Sequence, residues 1–235
     1  MSGARLPEEL DADTILLERG NLRDLGGLPT RRGGLVVAPR RFFRSSAPGR
    51  FDPAQQRALN RMNLRSAIDL RSSVETDQSE VSVFSAAVQV VRLPLFESAR
   101  ENWIRPTNQT PRATAERYFE MLTDGLGALA AVILRVSHAD TAPVLVSCSA
   151  GRDRTGIVVA CILDLLDVTE EAVATDYARS DSFDPVSGRA HSATIPELFA
   201  LVRGHFGSTQ QMLAPYGVTS TIGQTLRHEL LAEQQ

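Results

Sequence analysis

Short apolar runs alternate along this chain with longer segments in which apolar residues recur at helical spacing. Residues 35–43, 65–70, 87–93 and 143–147 have the length and composition of strands. Helical patterns cover residues 53–62, 112–136, 156–166, 169–179, 196–205, 208–213 and 220–232, and Gly125 and Gly127 predict a break in the longest of them. This alternation predicts an α/β fold with a mostly parallel central sheet flanked by helices, followed by a helical C-terminal half.

The same pattern predicts one domain. No Pro/Gly/Ser-rich linker, internal repeat or low-complexity tract divides the 235 residues. We therefore expect a single domain over residues 1–235, with residues 1–19 as an N-terminal extension. The segments 98–117 and 180–195 are polar and irregular and follow elements that end near the expected ligand-binding edge of the sheet, so each is predicted as a lid segment.

The net charge and the distribution of basic residues limit the possible partners of the protein. The formal net charge is −3, which argues against a nucleic-acid partner, and all basic residues are arginines. Five of them crowd one N-terminal region, and we interpret these as a solvated, ion-paired face, with a substrate-steering rim as the alternative: Arg31, Arg32, Arg40, Arg41 and Arg44.

Targeting signals and cysteine usage point to a reducing compartment. No apolar run reaches the roughly 18 residues of a membrane span, so no stable membrane insertion is expected. The first ten residues lack a basic-then-apolar signal segment, and the two cysteines give no disulfide framework. We predict a cytoplasmic protein, with export by a route that needs no cleaved signal as the alternative. Cys161 lies in an apolar helical pattern and is predicted to be core.

The run Cys148-Ser149-Ala150-Gly151-Arg152-Asp153-Arg154-Thr155-Gly156 carries the candidate chemistry. It lies between an apolar strand and an apolar helix, so the loop 148–155 is predicted to sit at a helix N-terminus. Backbone N–H groups and the helix dipole attract an anion there, and they favour the nucleophilic thiolate of Cys148. Arg154 can bind two phosphate oxygens with its planar fork, and the Thr155 hydroxyl can donate a hydrogen bond to the sulfur. The remaining predicted phosphate-binding residues are Ser149, Ala150, Gly151 and Arg152.

This run resembles the C-x5-R-[ST] signature of the protein tyrosine phosphatase superfamily, in the form found in bacterial tyrosine, dual-specificity and lipid phosphatases related to mycobacterial PtpB. Further elements are similar to that family: Asn21-Leu22-Arg23-Asp24-Leu25-Gly26-Gly27, Phe43-Arg44-Ser45-Ser46, Ile68-Asp69-Leu70-Arg71, Asp176-Tyr177 with Ser180, Gly207-Ser208, Gly217-Val218 and Leu226-Arg227. Ser147 and Arg152 stand where the family usually has His and Lys. The resemblance implies a protein-tyrosine-phosphatase-like fold.

The resemblance also implies a cofactor-free and metal-free phosphatase that acts on phosphorylated protein or on phosphoinositides. Cys148 would attack phosphorus and form a cysteinyl-phosphate, while Arg154 and the loop amides hold the oxygens. The resemblance implies that Asp153 is the general acid, as in relatives that carry Asp at this position. Glu97, just beyond a strand, is the alternative acid. Arg152 beside Arg154 offers a second positive charge for an inositol headgroup.

Two other functions use a thiolate in an anion-binding loop. A phosphate-recognition module with weak turnover is one alternative, and Ser147 motivates it. A sulfurtransferase or an arsenate-reductase-like enzyme is the other, although Cys161 is poorly placed as a second thiol. Four further residues in the resembling elements are interpreted as scaffold ion pairs, turn hydrogen bonds or pocket wall: Asp24, Asp69, Arg71 and Tyr177.

Overall fold

The structure is a computed structural model that describes residues 19–76, 83–97, 110–183 and 190–234. Most of the predicted N-terminal extension lies outside these residues. So do residues 98–109 and 184–189 of the two predicted lid segments.

A five-stranded sheet forms the centre of the fold. The strands are β1 (Arg23–Asp24), β3 (Phe42–Ser45), β6 (Val144–Ser147), β4 (Ser66–Asp69) and β5 (Gln89–Arg92), in that spatial order. All neighbouring pairs are parallel except β1 with β3. Strand β6 is buried along its whole length because it lies between two neighbours and is covered on both faces, which explains its uninterrupted apolar sequence. The predicted mostly parallel α/β sheet is confirmed.

Helices cover both faces of the sheet and make up most of the C-terminal half, as predicted. They are α1 (Pro53–Arg61), α2 (Pro111–Asp124), α3 (Leu126–Val136), α4 (Asp153–Leu165), α5 (Glu170–Ala178), α6 (Thr194–Phe206), α7 (Thr209–Leu213) and α8 (Ser220–Leu230). Helix α1 begins where the sequence predicts, because Asp52 accepts hydrogen bonds from the first-turn amides and Pro53 occupies the first helical position.

The predicted break in the long helical pattern is also observed. Helix α2 ends at Asp124 and α3 begins at Leu126. A Cβ at Gly125 would lie 2.8 Å from the carbonyl oxygen of Leu95, so only glycine permits this close approach of the chain to the segment after β5.

The prediction of one strand over residues 35–43 is wrong. The segment forms β2 (Leu35–Val37) and then β3, and β2 pairs with β7 (Leu231–Glu233) in a separate two-stranded sheet. Pro39 cannot donate a ladder hydrogen bond, and Arg40 adopts a left-handed φ of 60°, so the chain turns between the two strands.

Two hydrophobic clusters lie on the two faces of the central sheet. The larger one contains the apolar faces of α2 to α8, and the smaller one packs α1 against Phe43, Ala67 and Leu145. Within the described residues, no helix combines the length and apolar character needed to cross a membrane.

Candidate active site

The candidate catalytic loop joins β6 to α4 at the carboxyl edge of the parallel sheet. Strand β6 ends at Ser147, and α4 begins at Asp153. Cys148 lies between them and is 3% exposed, so its thiol sits at the floor of the loop. The first helical hydrogen bond, from Gly156 N–H to Arg152 C=O, measures 2.8 Å and leaves the preceding amides outside the helix. The loop therefore occupies the predicted position at a helix N-terminus.

Gly151 determines the shape of this loop. Its φ is +70°, and a Cβ there would lie 2.4 Å from the carbonyl oxygen of Ser45. No other residue combines the left-handed backbone with this close approach to the end of β3.

Three successive carbonyls of the loop accept hydrogen bonds from outside it. Ala47 N–H donates to Ser149 C=O at 3.2 Å. Asn21 Nδ2 donates to Ala150 C=O at 3.0 Å, and Arg44 Nη2 donates to Gly151 C=O at 2.8 Å. The loop is thus held from its outer side by Arg44 of β3, by Ala47 two residues after that strand, and by Asn21 before β1.

Arg154 is held by a carboxylate that the sequence interpretation missed. Its Nη1 and Nη2 donate to the two carboxylate oxygens of Glu75 at 2.5 and 2.6 Å, and its guanidinium lies 5.6 Å from the centre of the Phe96 ring. Burial alone would raise the pKa of Glu75, but the hydrogen bonds from Arg154 and from the Ser72 backbone outweigh it and lower that pKa to about 2. The guanidinium is therefore already oriented by an anion at the loop.

Glu75 lies in the short turn that follows β4, and Glu97 supports the same turn. The Glu75 carboxylate accepts from Ser72 N–H at 3.0 Å, which closes a capping box. Glu97 is exposed, and its Oε2 accepts from Ser73 N–H at 3.3 Å and from Ser73 Oγ at 3.2 Å. The alternative acid is thus a hydrogen-bond acceptor for the turn that carries the partner of Arg154.

Asp153 begins α4 with its carboxylate facing α2. Tyr118 Oη donates to Asp153 Oδ1 at 2.5 Å, and Arg117 Nη2 lies 3.5 Å from the same oxygen. Arg152 Nε lies 3.7 Å from Oδ2. Tyr118 Oη also lies 2.9 Å from Tyr177 Oη. The carboxyl group is therefore held by a hydroxyl and flanked by two arginines, with 14% of its surface exposed.

Two other loop residues differ from the sequence interpretation. The Arg152 side chain is 3% exposed, because it packs beside Asp153 rather than projecting into solvent. The Thr155 hydroxyl is buried and has no hydrogen-bond partner among the described residues, so the predicted bond to the Cys148 sulfur is not formed.

A buried ionic cluster lies behind the loop and unites three of the resembling elements. Asp176 accepts from Arg23 Nε and from Arg44 Nη1, each at 2.6 Å. Burial alone would raise the pKa of Asp176, but Arg44 and Arg23 outweigh it and hold that pKa below its ordinary value. Ser180 Oγ accepts from Arg23 Nη2 at 3.1 Å.

This cluster corrects the interpretation of Arg44 as part of a solvated face. The residue is 1% exposed, because Asp176 supplies the counter-charge that allows its burial. Arg31, Arg32 and Arg41 form the predicted surface ion pairs, with Asp164, Asp167 and Glu229.

The predicted scaffold roles agree with the structure. Asp69 and Arg71 form a bidentate ion pair, and Asp24 accepts hydrogen bonds from the backbone amides of Gly26 and Arg40. Cys161 is 1% exposed in α4, and burial raises the pKa of its thiol. Among the described residues, no group of three or more His, Cys, Asp or Glu side chains is placed to hold a metal ion.

Comparison with known proteins agrees with this geometry. The sequence profile of the tyrosine phosphatase family matches residues 16–232. The chain belongs to the tyrosine phosphatase family. The resemblance inferred from the loop and from the elements around it is thereby confirmed.

Three individual proteins that this chain resembles share between 17% and 28% of their residues with it over the matched lengths. A tyrosine-protein phosphatase of Nostoc commune is 28% identical over 140 residues, which cover 59% of this chain and 48% of that protein. The triple specificity protein phosphatase PtpB of Mycobacterium tuberculosis is 28% identical over 194 residues, covering 70% of this chain and 68% of that protein. The chain thus spans from about half to about two thirds of the length of these relatives. The core catalytic domain of a PP-IP phosphatase from S. cerevisiae superimposes with a TM-score of 0.44 at 17% identity, covering 76% of this chain and 84% of that one.

Proposed function

We propose that the protein is a cysteine-dependent protein tyrosine phosphatase, formed by a single catalytic domain, that hydrolyses phosphate monoesters through a cysteinyl-phosphate. One observation carries the proposal: the Cys148 thiol and the Arg154 guanidinium belong to one loop between β6 and the N-terminus of α4. A dianionic phosphoryl group bound there meets backbone N–H groups, the helix dipole and a guanidinium.

The reaction follows from the residues of the loop. The Cys148 sulfur attacks phosphorus as the bond to the leaving oxygen breaks, and that oxygen takes a proton from Asp153. Water then attacks phosphorus in the cysteinyl-phosphate and gives a proton to the Asp153 carboxylate, which releases inorganic phosphate and the thiolate and restores the acid. Glu75 engages Nη1 and Nη2 of Arg154, so a phosphoryl group binds through the remaining N–H groups or replaces the carboxylate.

Cys148→Ser provides the first test. We expect the variant to lose turnover of p-nitrophenyl phosphate, measured with EDTA present, while it keeps its affinity for inorganic phosphate. A wild type that binds phosphate without turnover would favour the phosphate-recognition module. A trapped phosphocysteine would exclude the sulfurtransferase class. The burial of Cys161 argues against an arsenate reductase, because that reaction needs a second thiol within reach of Cys148.

A second experiment separates the two candidate acids. Asp153→Asn should slow the hydrolysis of alkyl phosphates far more than that of aryl phosphates, because only the poor alkoxide leaving group needs a proton in the transition state. Glu97→Gln is the matched comparison. If Glu97→Gln shows the leaving-group dependence and Asp153→Asn does not, Glu97 is the acid.

We propose phosphotyrosine as the principal substrate, with phosphoinositides as a second class. The burial of Arg152 means that a headgroup reaches its charge only if the side chain moves. A panel of phosphotyrosine and phosphoserine peptides and of mono- and bis-phosphorylated inositol lipids, run on wild type and on Arg152→Ala, tests both classes. If the wild type ignores the inositol lipids, or if Arg152→Ala lowers the turnover of all substrates by the same factor, the phosphoinositide part of the proposal fails and a tyrosine-directed phosphatase remains.

A further inference from the structure

Three hydrogen bonds fix the orientation of successive peptide groups in the catalytic loop. In a planar trans peptide the C=O and the following N–H point in opposite directions. The carbonyls of Ser149, Ala150 and Gly151 are each bonded to a donor on the outer side of the loop. The N–H groups that follow them are therefore turned away from that side.

The two side-chain donors are themselves held in place. Arg44 Nη1 is bonded to Asp176 at 2.6 Å, so its Nη2 is left at a defined position beside Gly151 C=O. Asn21 Oδ1 accepts a short hydrogen bond from Arg23 Nη1, which leaves its Nδ2 to donate to Ala150 C=O. Asn21, Arg44 and Asp176 are all at most 4% exposed.

Stability alone does not account for this cluster. It buries two arginines with one carboxylate, and the desolvation of such a group can exceed the gain from its ion pairs. The cluster also holds hydrogen-bond donors in a fixed orientation beside the loop carbonyls, which apolar side chains of the same volume could not provide.

We propose that Asn21 and Arg44 are positioning residues that turn the loop amides toward the bound phosphoryl group. Neither touches the substrate in this role. Each acts through a loop carbonyl, and Asp176 holds Arg44 for that purpose. The inference rests on the proposed phosphatase function, because it assigns the loop amides to the phosphoryl oxygens.

Arg44→Lys and Arg23→Lys form a matched pair. Both retain the charge beside Asp176, and both lose a guanidinium that contacts it at 2.6 Å. Only Arg44 also reaches a loop carbonyl. The affinity for inorganic phosphate is measured by calorimetry in a Cys148→Ser background, kcat/KM for p-nitrophenyl phosphate in the active enzyme, and Tm in both.

We expect both lysine variants to lower Tm by similar amounts. Arg44→Lys should weaken phosphate binding and lower kcat/KM by about 10-fold to 100-fold, the range seen when supporting partners are removed from metal ligands. Arg23→Lys should change both quantities by a smaller factor. Arg23 reaches the loop only through its hydrogen bond to Asn21 Oδ1. A phosphate affinity in Arg44→Lys equal to that of its parent would overturn the role of Arg44.

Asn21→Asp provides an independent test that decides the matter if the arginine variants fail to fold. Asn21 has a φ of 54°, which aspartate tolerates, and the carboxylate keeps the acceptor for Arg23. The Asn21→Asp substitution removes the Nδ2 donor to Ala150 C=O. Asn21→Gly loses that donor without adding a charge, which controls for repulsion of the phosphate.

Both Asn21 variants should weaken phosphate binding in the Cys148→Ser background, and Asn21→Asp should do so with the smaller loss of Tm. A phosphate dissociation constant equal to that of the Asn21 parent in both would overturn the proposal. A parent enzyme that binds phosphate but shows no turnover would instead contradict the proposed phosphatase function, because phosphate binding reports the loop amides independently of catalysis.

Discussion

At the scale of single residues, the conformation of the catalytic loop depends on the absence of a side chain at Gly151 and on backbone carbonyls that accept hydrogen bonds. Gly151 lacks the Cβ that would lie 2.4 Å from the Ser45 backbone, and Ala150 and Gly151 present carbonyls to side chains far away in sequence. The reactive residues Cys148 and Arg154 therefore rely on backbone positions that have no chemistry of their own.

Gly151→Ala should abolish most activity. The added methyl group forces the loop away from β3, because its contact is with backbone rather than with a flexible side chain. We expect kcat/KM to fall at least about 100-fold, comparable to the loss of an oxyanion donor. Gly33→Ala is the control: its φ is +69° with nothing within 4 Å, so it imposes the same left-handed strain on a position without neighbours. Similar kinetics in the two variants would contradict the steric argument.

Tyr118→Phe should shift the pH dependence of the reaction. The hydroxyl donates to Asp153 Oδ1 at 2.5 Å, which stabilises the charged carboxylate, so its removal favours the protonated acid. We expect the basic limb of kcat/KM against pH to move up by about one to two units, since a hydrogen bond to a charged group contributes about 1.5–3 kcal/mol.

Tyr177→Phe is the comparison for Tyr118→Phe, because its hydroxyl contacts Tyr118 Oη rather than Asp153. Its profile should shift less than that of Tyr118→Phe. If the basic limb of kcat/KM against pH shifts in neither variant, the hydrogen bond from Tyr118 does not influence the protonation of Asp153.

At the scale of elements, the sequence predicted most helices and strands because their periodicity is local. The strand over residues 35–43 was predicted incorrectly because the left-handed turn at Arg40 is taken by a residue that usually avoids it. The loop was predictable because its nucleophile, glycines and arginine are adjacent in the chain.

The partners of the loop were not predictable in the same way. Glu75 meets Arg154 across 79 residues, and Arg44 meets Asp176 across 132 residues. No local pattern specifies such pairs. Ser72-x-x-Glu75 does have the form of a capping box, which predicts a turn but not its contact with Arg154.

The turn that carries Glu75 leads to a prediction about pH. The pKa of Glu75 is about 2, so this carboxylate stays charged through the range of a phosphatase assay. Glu75→Gln should therefore lower kcat/KM by the same factor, about fivefold for roughly 1 kcal/mol of lost orientation, at pH 5 and at pH 7. Glu229→Gln, which removes another arginine-paired carboxylate at Arg41, should leave kcat/KM unchanged. A loss that appears at one pH alone would contradict a constant Arg154–Glu75 pair.

At the scale of the whole molecule, the cluster behind the loop joins the N-terminal strands to the C-terminal helices. Asp176 on α5 is bonded to Arg23 on β1 and to Arg44 on β3. One buried carboxylate behind the catalytic loop thus links the N-terminal and C-terminal halves of the chain.

Asp176→Asn should destabilise the fold strongly at neutral pH and less in acid. Removing one partner of a buried ion pair costs about 3–5 kcal/mol. The pKa of Asp176 is lowered in the folded state, so its contribution is present above the ordinary aspartate pKa of 3.8 and is lost as the pH falls below it. Urea unfolding at pH 7 and at pH 3 measures the difference in the free energy of unfolding between Asp176→Asn and the wild type. A difference of equal size at both pH values would contradict this assignment of charge.

The position of β6 has a consequence for how the protein is made. This strand lies between β3 and β4 but follows both in the chain, so neither can meet its central neighbour until residues 144–147 have been synthesised. A nascent chain that stops earlier exposes apolar strand faces and unpaired edges, the features that bind chaperones and promote aggregation. Because Cys148 comes directly after β6, the thiol emerges from the ribosome with the strand that completes the central sheet.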